Sequence, residues 1–203
     1  MGLEAKPKVE YKNATVAARV HLDSNKLDVY LKPALHIPFA KMRSVVARDG
    51  ALCIDFDQGS LTLRLGKAAE RWAQKIRQPK GRLDKLGVTA ADLRVVLIGA
   101  HAPDFEAELA ERVSKVSKRP LAGADIVFLR AGSRADLAKL PALREKLAPA
   151  GAIWIVREKR KTARLKESEA REAGRAAGLV DVKVVAFSDT LTADKYVVPV
   201  RER

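Results

Sequence analysis

The sequence predicts an α/β protein in two parts. Residues 1–78 read as a small antiparallel β-meander or barrel closed by a helix, and residues 84–203 as a parallel-sheet domain with an antiparallel edge hairpin. Three observations carry this. Apolar residues alternate with period two between residues 14 and 65, the signature of half-buried strands. The period then lengthens to that of a helix at Ala69. Beyond Gln78-Pro-Lys-Gly81, continuous apolar runs alternate with amphipathic segments, which is the texture of a parallel sheet with right-handed crossovers.

Each element follows in turn. Ala14, Val16, Ala18, Val20 and Leu22 share one face of a strand over 14–22, and Asp23-Ser-Asn-Lys26 turns it into Leu27, Val29 and Leu31. Pro33 and Pro38 bracket an irregular link that contains His36. A strand at Val45–Arg48 meets its partner (Leu52, Ile54, Phe56) through Asp49-Gly50, a strong hairpin signal. Asp57-Gln-Gly-Ser60 turns again into Leu61, Leu63 and Leu65, and Ala69, Trp72, Ala73 and Ile76 form the apolar stripe of the closing helix. Residues 79–83 read as a linker.

In the second part, Arg94–Gly99, Ala124–Arg130 and Gly151–Arg157 read as strands buried on both faces. A helix is predicted from Asp104, as N-cap, to about Val116. Ser133 and Asp136 resemble a capping box before Leu137, Leu140, Leu143 and Leu147, and Pro141 should kink or split that helix. Residues 164–177 read as helical, supported by the Glu167/Arg171 pair and stopped at Gly178. Val180–Phe187 and Tyr196–Arg201 complete the sheet as an edge pair.

Composition narrows the function classes. No apolar run approaches the ~18–20 residues of a membrane span, and Met1-Gly-Leu-Glu-Ala-Lys lacks the apolar stretch of a signal peptide, so the expected location is cytoplasmic. One cysteine, Cys53, excludes an internal disulfide, and three scattered histidines argue against a structural zinc site. Across 203 residues the 39 basic side chains exceed the 25 acidic ones, for a net charge of +14. Residues 1–80 hold 15 basic and 8 acidic side chains and the remainder 24 and 17, so each part carries +7 and the charge is no detachable tail. Such a charge points to an acidic ligand or partner: nucleic acid, a nucleotide or an acidic protein. The densest run, from Arg157 to Lys166, holds six cations, Arg157, Lys159, Arg160, Lys161, Arg164 and Lys166, and no aromatic residue that could stack on a base.

Five segments then carry a resemblance: Arg82-Leu-Asp-Lys-Leu-Gly-Val88, the strand to Gly99, Leu140-Pro-Ala-Leu-Arg144, Leu147-Ala-Pro-Ala-Gly-Ala-Ile-Trp154, and Gly178-Leu-Val-Asp-Val-Lys-Val184. In this order, over residues 80–203, they resemble a bacterial family of short, uncharacterised Rossmann-like proteins. The same layout resembles the second half of class I S-adenosylmethionine-dependent methyltransferases, which implies a truncated, three-layer methyltransferase-like domain. The β-rich first part, with its closing helix, resembles a pleckstrin-homology-type domain.

In methyltransferase-like folds a glycine-rich turn after the first strand admits the cofactor, and an acid after the second holds the ribose. Here that turn reads Gly99-Ala-His-Ala-Pro-Asp104, with one glycine and a proline that removes an N–H donor. Gly99, Ala100 and His101 are the candidate cofactor contacts. His101 with Asp104 is the candidate acid–base pair, against the plainer reading of an exposed loop imidazole. Helix capping accounts for Ser133, and core packing for Trp72 and Trp154. No cofactor is predicted, with S-adenosylmethionine as the alternative. The expected function is a non-catalytic binding or adaptor protein with a basic rim at 157–166. The alternatives are an enzyme using the 99–104 loop and a nucleic-acid-associated protein using the basic run.

Overall fold

The computed structural model describes residues 2–159 and 163–203. The chain divides into two compact units, Met1–Lys80 and Gly81–Arg203.

The first unit holds nine strands: β1 (Leu3–Ala5), β2 (Lys8–Tyr11), β3 (Ala14–Ala17), β4 (Val20–Leu22), β5 (Lys26–Val29), β6 (Leu35–Pro38), β7 (Met42–Arg48), β8 (Ala51–Phe56) and β9 (Gly59–Arg64), followed by helix α1 (Ala69–Arg77). They form two antiparallel sheets, ordered β1-β4-β5-β6 and β3-β2-β9-β8-β7, where a single meander or barrel was expected. The difference originates at Ala18. The strand predicted over 14–22 is divided there, because Pro7 has no N–H to extend the β2–β3 ladder. The ladder stops at the Lys8–Ala17 pair, Ala18 donates to the Pro7 carbonyl at 3.2 Å, and the chain leaves to pair with β1 and β5 in the other sheet. Ala14 and Val16 are consequently exposed while Val20 and Leu22 are fully buried. The link bracketed by Pro33 and Pro38 is also more regular than expected, since Leu35–Pro38 pairs with β5.

One core joins both sheets: Val20, Leu27 and Ile37 from the first meet Leu52, Ile54 and Leu63 from the second, covered by Ala69, Trp72, Ala73 and Ile76 of α1. The predicted stripe is therefore the buried face of that helix. Asp49 (φ 50°) and Gly50 (φ 73°) form the β7–β8 turn, whose left-handed backbone matches the strand twist.

The second unit contains α2 (Arg82–Leu86), β10 (Val95–Ile98), α3 (Pro103–Arg112), β11 (Val116–Ser117), β12 (Ala124–Arg130), α4 (Arg134–Leu137), α5 (Leu140–Lys146), β13 (Leu147–Glu158), α6 (Glu167–Ala176), β14 (Val180–Ala186) and β15 (Leu191–Val197). Its sheet has the order β11-β10-β12-β13-β15-β14. β11, β10, β12 and β13 are parallel, and β15 runs antiparallel between β13 and β14. Separate cores fill the two faces, giving three layers. Leu83, Phe105, Phe128 and Trp154 pack with α2 and α3, while Leu140, Ile153, Ile155 and Tyr196 pack with α4, α5 and α6. Trp154 donates its indole N–H to the Leu86 carbonyl at 3.0 Å, so this wide, buried ring leaves no polar atom unmatched.

Pro141 divides α4 from α5 as predicted, sitting in the first turn of α5 where a missing N–H costs nothing. The Asp136 carboxylate caps α4 by accepting from the Ser133 and Gly132 backbone N–H groups. Some boundaries depart from expectation. α3 begins at Pro103 with Ala102 as its N-cap, so Asp104 lies in the first turn, and the helix ends at Arg112. α6 begins only after Lys166. The last strand begins at Leu191, because Phe187 and Ser188 bond back to Leu191 in a tight hairpin.

Candidate functional site

Because β10, β12 and β13 are parallel, the loops that follow them gather at one edge of the sheet. From β10 the chain passes to β11 on one side and then returns to β12 on the other. The boundary between β10 and β12 is therefore the switch point at which open α/β sheets usually bind ligands. Gly99, Ala100 and His101 lie there.

Gly99 and Ala100 are exposed at this edge, and Gly99 stands close against the neighbouring strand. Gly99 adopts φ +87°, and a Cβ on it would stand 3.1 Å from both the Cβ and the carbonyl oxygen of Arg130 on β12. The glycine thus permits a close approach between two protein strands. Arg130 is itself turned inward along the strand ends, donating to the Ala131 and Val156 carbonyls.

His101 is half-buried, which corrects the reading of an exposed loop imidazole. Its Nε2 lies 3.2 Å from the Phe128 carbonyl oxygen, its ring meets Phe105 at 5.8 Å between centroids, and its Nδ1 is buried without a hydrogen bond of normal geometry. Burial holds its pKa below the ordinary histidine value, against the pull of the Phe128 and Ile98 backbone carbonyls. A neutral imidazole donating from Nε2 fits this setting.

Asp104 does not orient His101, and the predicted acid–base pair is not formed. Its carboxylate is paired with Arg82 of α2 at 3.0 Å, and Glu108 holds the same guanidinium at 2.6 Å. The signal missed in the sequence is Arg82. With its side chain 19% exposed, its guanidinium lies 5.1 Å from the Phe105 ring centroid and 5.4 Å from that of Phe187. Phe105 in turn packs on Phe187 and Phe128, at 4.5 and 5.0 Å between centroids. A cation stacked on aromatic faces and held by two carboxylates is a well-fixed group.

On the other side of β10, β11 has only two residues and is followed by Lys118 and Arg119, where a ribose-binding acid would stand. Lys118 pairs with Glu106 of α3 at 2.7 Å.

The basic run contributes fewer free charges than its sequence suggests. Arg157 is buried, so it is no rim cation. Its Nε donates to Asp194 at 2.6 Å with side chains only 8% and 4% exposed, and a terminal nitrogen reaches Glu167 at 3.2 Å. Burial raises the Asp194 pKa even against Arg157, and it pushes the neighbouring Tyr196 up to about 12. Lys159 is exposed and donates to the Ser188 carbonyl, and Arg164 and Lys166 are exposed. Arg160 and Lys161 lie outside the described residues. Two surface depressions are seen, one of about 190 Å³ near Arg144 and Val198 and one of about 400 Å³ between α4, α5 and α6. Among the described residues, no group of three His, Cys, Asp or Glu could hold a metal ion, and no helix is long and apolar enough to cross a membrane.

No family model and no curated protein matches the sequence. Among solved structures, the chain is similar to an S-adenosylmethionine-dependent methyltransferase from Aquifex aeolicus. That match has 15% identity and a TM-score of 0.46, over 56% of this chain and 86% of that one. It is similar to the N-methyltransferase NodS from Bradyrhizobium japonicum at 12% identity and a TM-score of 0.42, over 58% and 94% of the two chains. A third similarity is to the fibrillarin pre-rRNA processing protein of Methanococcus jannaschii, at 13% identity and a TM-score of 0.40, over 90% and 98%. At these scores the class of the second unit rests on its own strand order: a three-layer α/β domain with an antiparallel strand inserted next to the edge.

Proposed function

We propose that the second unit is a truncated methyltransferase-like domain whose ligand crevice has been closed by its own side chains. On this reading the protein works as a binding or adaptor module and carries out no methyl transfer. The observation that carries it is the packing of the β10 turn: Gly99 against Arg130, and His101 turned onto the Phe128 carbonyl. A cofactor needs that glycine to approach backbone, and it needs the helix N-terminus behind the turn. Here the glycine faces a neighbouring strand, Pro103 supplies no N–H, and the first turn of α3 carries Asp104 and Glu106. The residues present therefore do not fit S-adenosylmethionine. On this reading the first unit, two antiparallel sheets and a helix, is the pleckstrin-homology-like part that contacts a partner.

Calorimetric titration of the full chain with S-adenosylmethionine, S-adenosylhomocysteine and ATP tests this reading. The expected result is no saturable heat at millimolar ligand. A saturable isotherm with one site per chain would overturn it.

A further inference from the structure

The outer strands of the second unit's sheet carry two lysines, Lys183 and Lys195, that no carboxylate among the described residues pairs. The cross-strand register places Trp154, Lys195 and Lys183 side by side on β13, β15 and β14. Alternation along the strands puts both lysines on the same face as the indole. The two ammonium groups lie 5.5 Å (Lys183) and 5.9 Å (Lys195) from the centroid of that one ring. Lys183 donates to the Lys85 carbonyl at 2.9 Å. Among the described residues, Arg82, Arg94, Arg112, Lys118, Arg134, Lys139, Arg144, Arg157, Arg171 and Arg201 each meet a carboxylate. Neither Lys183 nor Lys195 has a carboxylate partner among the described residues.

Placing like charges together over a buried ring, without a counter-charge, costs folding free energy that the ring's attraction offsets only in part. The Lys195 pKa records this: burial lowers it first, and repulsion from Lys183 and Arg203 lowers it further. A cost of this kind at an accessible position is the mark of a site kept for a ligand.

We infer that Lys183 and Lys195 form a binding site for a phosphate group on the outer strands of the sheet. The donor geometry selects the chemistry. Lys195 has its three N–H groups to offer, and Lys183 keeps two beyond its bond to Lys85. A tetrahedral anion with several acceptor oxygens uses the donors of both ammonium groups, whereas a carboxylate has only two oxygens. Val180 is 43% exposed and pairs with the half-buried Val197 two residues along the same face, so the surroundings are open and apolar. Both a free phosphate and a phosphodiester in a nucleic-acid backbone can reach such a surface. The site is separate from the β10 turn, so its failure would leave the closed-crevice reading standing.

Two arms of one experiment test the site and distinguish the sources. Full-length protein is titrated with inorganic phosphate by calorimetry, and with a fluorescently labelled single-stranded RNA by anisotropy. The Lys183→Gln/Lys195→Gln double variant is expected to lose at least about tenfold in affinity toward whichever probe binds. Lys195→Arg, which keeps the charge, should retain binding, and this separates ligand recognition from misfolding. If RNA is the ligand, the double variant's log–log salt dependence should also become shallower by about one to two contacts. Binding of phosphate alone identifies a small-ligand site, and binding of RNA without phosphate identifies a backbone site. Absence of binding in both arms, or a double variant that binds like the wild type, would overturn the proposal.

Discussion

At the scale of single residues, the positions that look most chemical in the sequence are the ones the fold has most fully occupied. His101 reads as a loop base, yet its imidazole is turned beneath the loop toward Phe128 and Phe105. Arg157 reads as the first cation of a basic rim, yet it is buried with Asp194. Neither outcome is legible in the chain, because the partners, Phe128 and Asp194, stand 27 and 37 residues away and are brought close only by strand register. Gly99 gives the sharpest prediction at this scale. Gly99→Ala would hold a side chain at φ +87° against Arg130, which should destabilise the second unit by about 1–3 kcal/mol. Thermal denaturation of the variant checks this, and an unchanged midpoint would contradict the packing role given to this glycine.

At the scale of elements, most of what periodicity can carry was legible. The α1 stripe, the Asp49-Gly50 hairpin, the Pro141 break and the three buried parallel strands all rest on local pattern or turn chemistry. The elements that escaped are short or depend on partners. β1 has three residues and β11 two, too few to show a period, and the split at Ala18 follows from Pro7 across the ladder. The four-stranded sheet also hides a cross-strand row, His21, Asp28 and His36, in adjacent register positions. Asp28 is buried. Burial pushes its pKa up, but hydrogen bonds from His36 (2.7 Å) and Lys26 (3.1 Å) bring it to a net value below the ordinary 3.8. A carboxylate lowered on folding stabilises the fold at pH above its unfolded value, and that contribution is lost as the pH falls through the folded one. Acid unfolding followed by circular dichroism should therefore show the wild type losing an increment of stability below about pH 3.8 that Asp28→Asn lacks. Parallel acid profiles for the two proteins would contradict this account of the sheet.

At the scale of the whole molecule, the charge of +14 is distributed rather than concentrated. Much of the second unit's share is spent on internal pairs, including the Arg82 clamp over Phe105 and Phe187. The Lys183–Lys195 group has no carboxylate partner among the described residues, and sequence reading did not single it out, because its two lysines are twelve residues apart and converge only through the β14–β15 hairpin. The central claim is that the switch-point crevice is filled by protein. Amide resonances of Gly99, Ala100 and His101, followed by heteronuclear NMR while S-adenosylmethionine is raised to millimolar concentration, test it most directly. The account predicts that these three signals stay in place, whereas saturable shifts confined to them and to the first turn of α3 would contradict it.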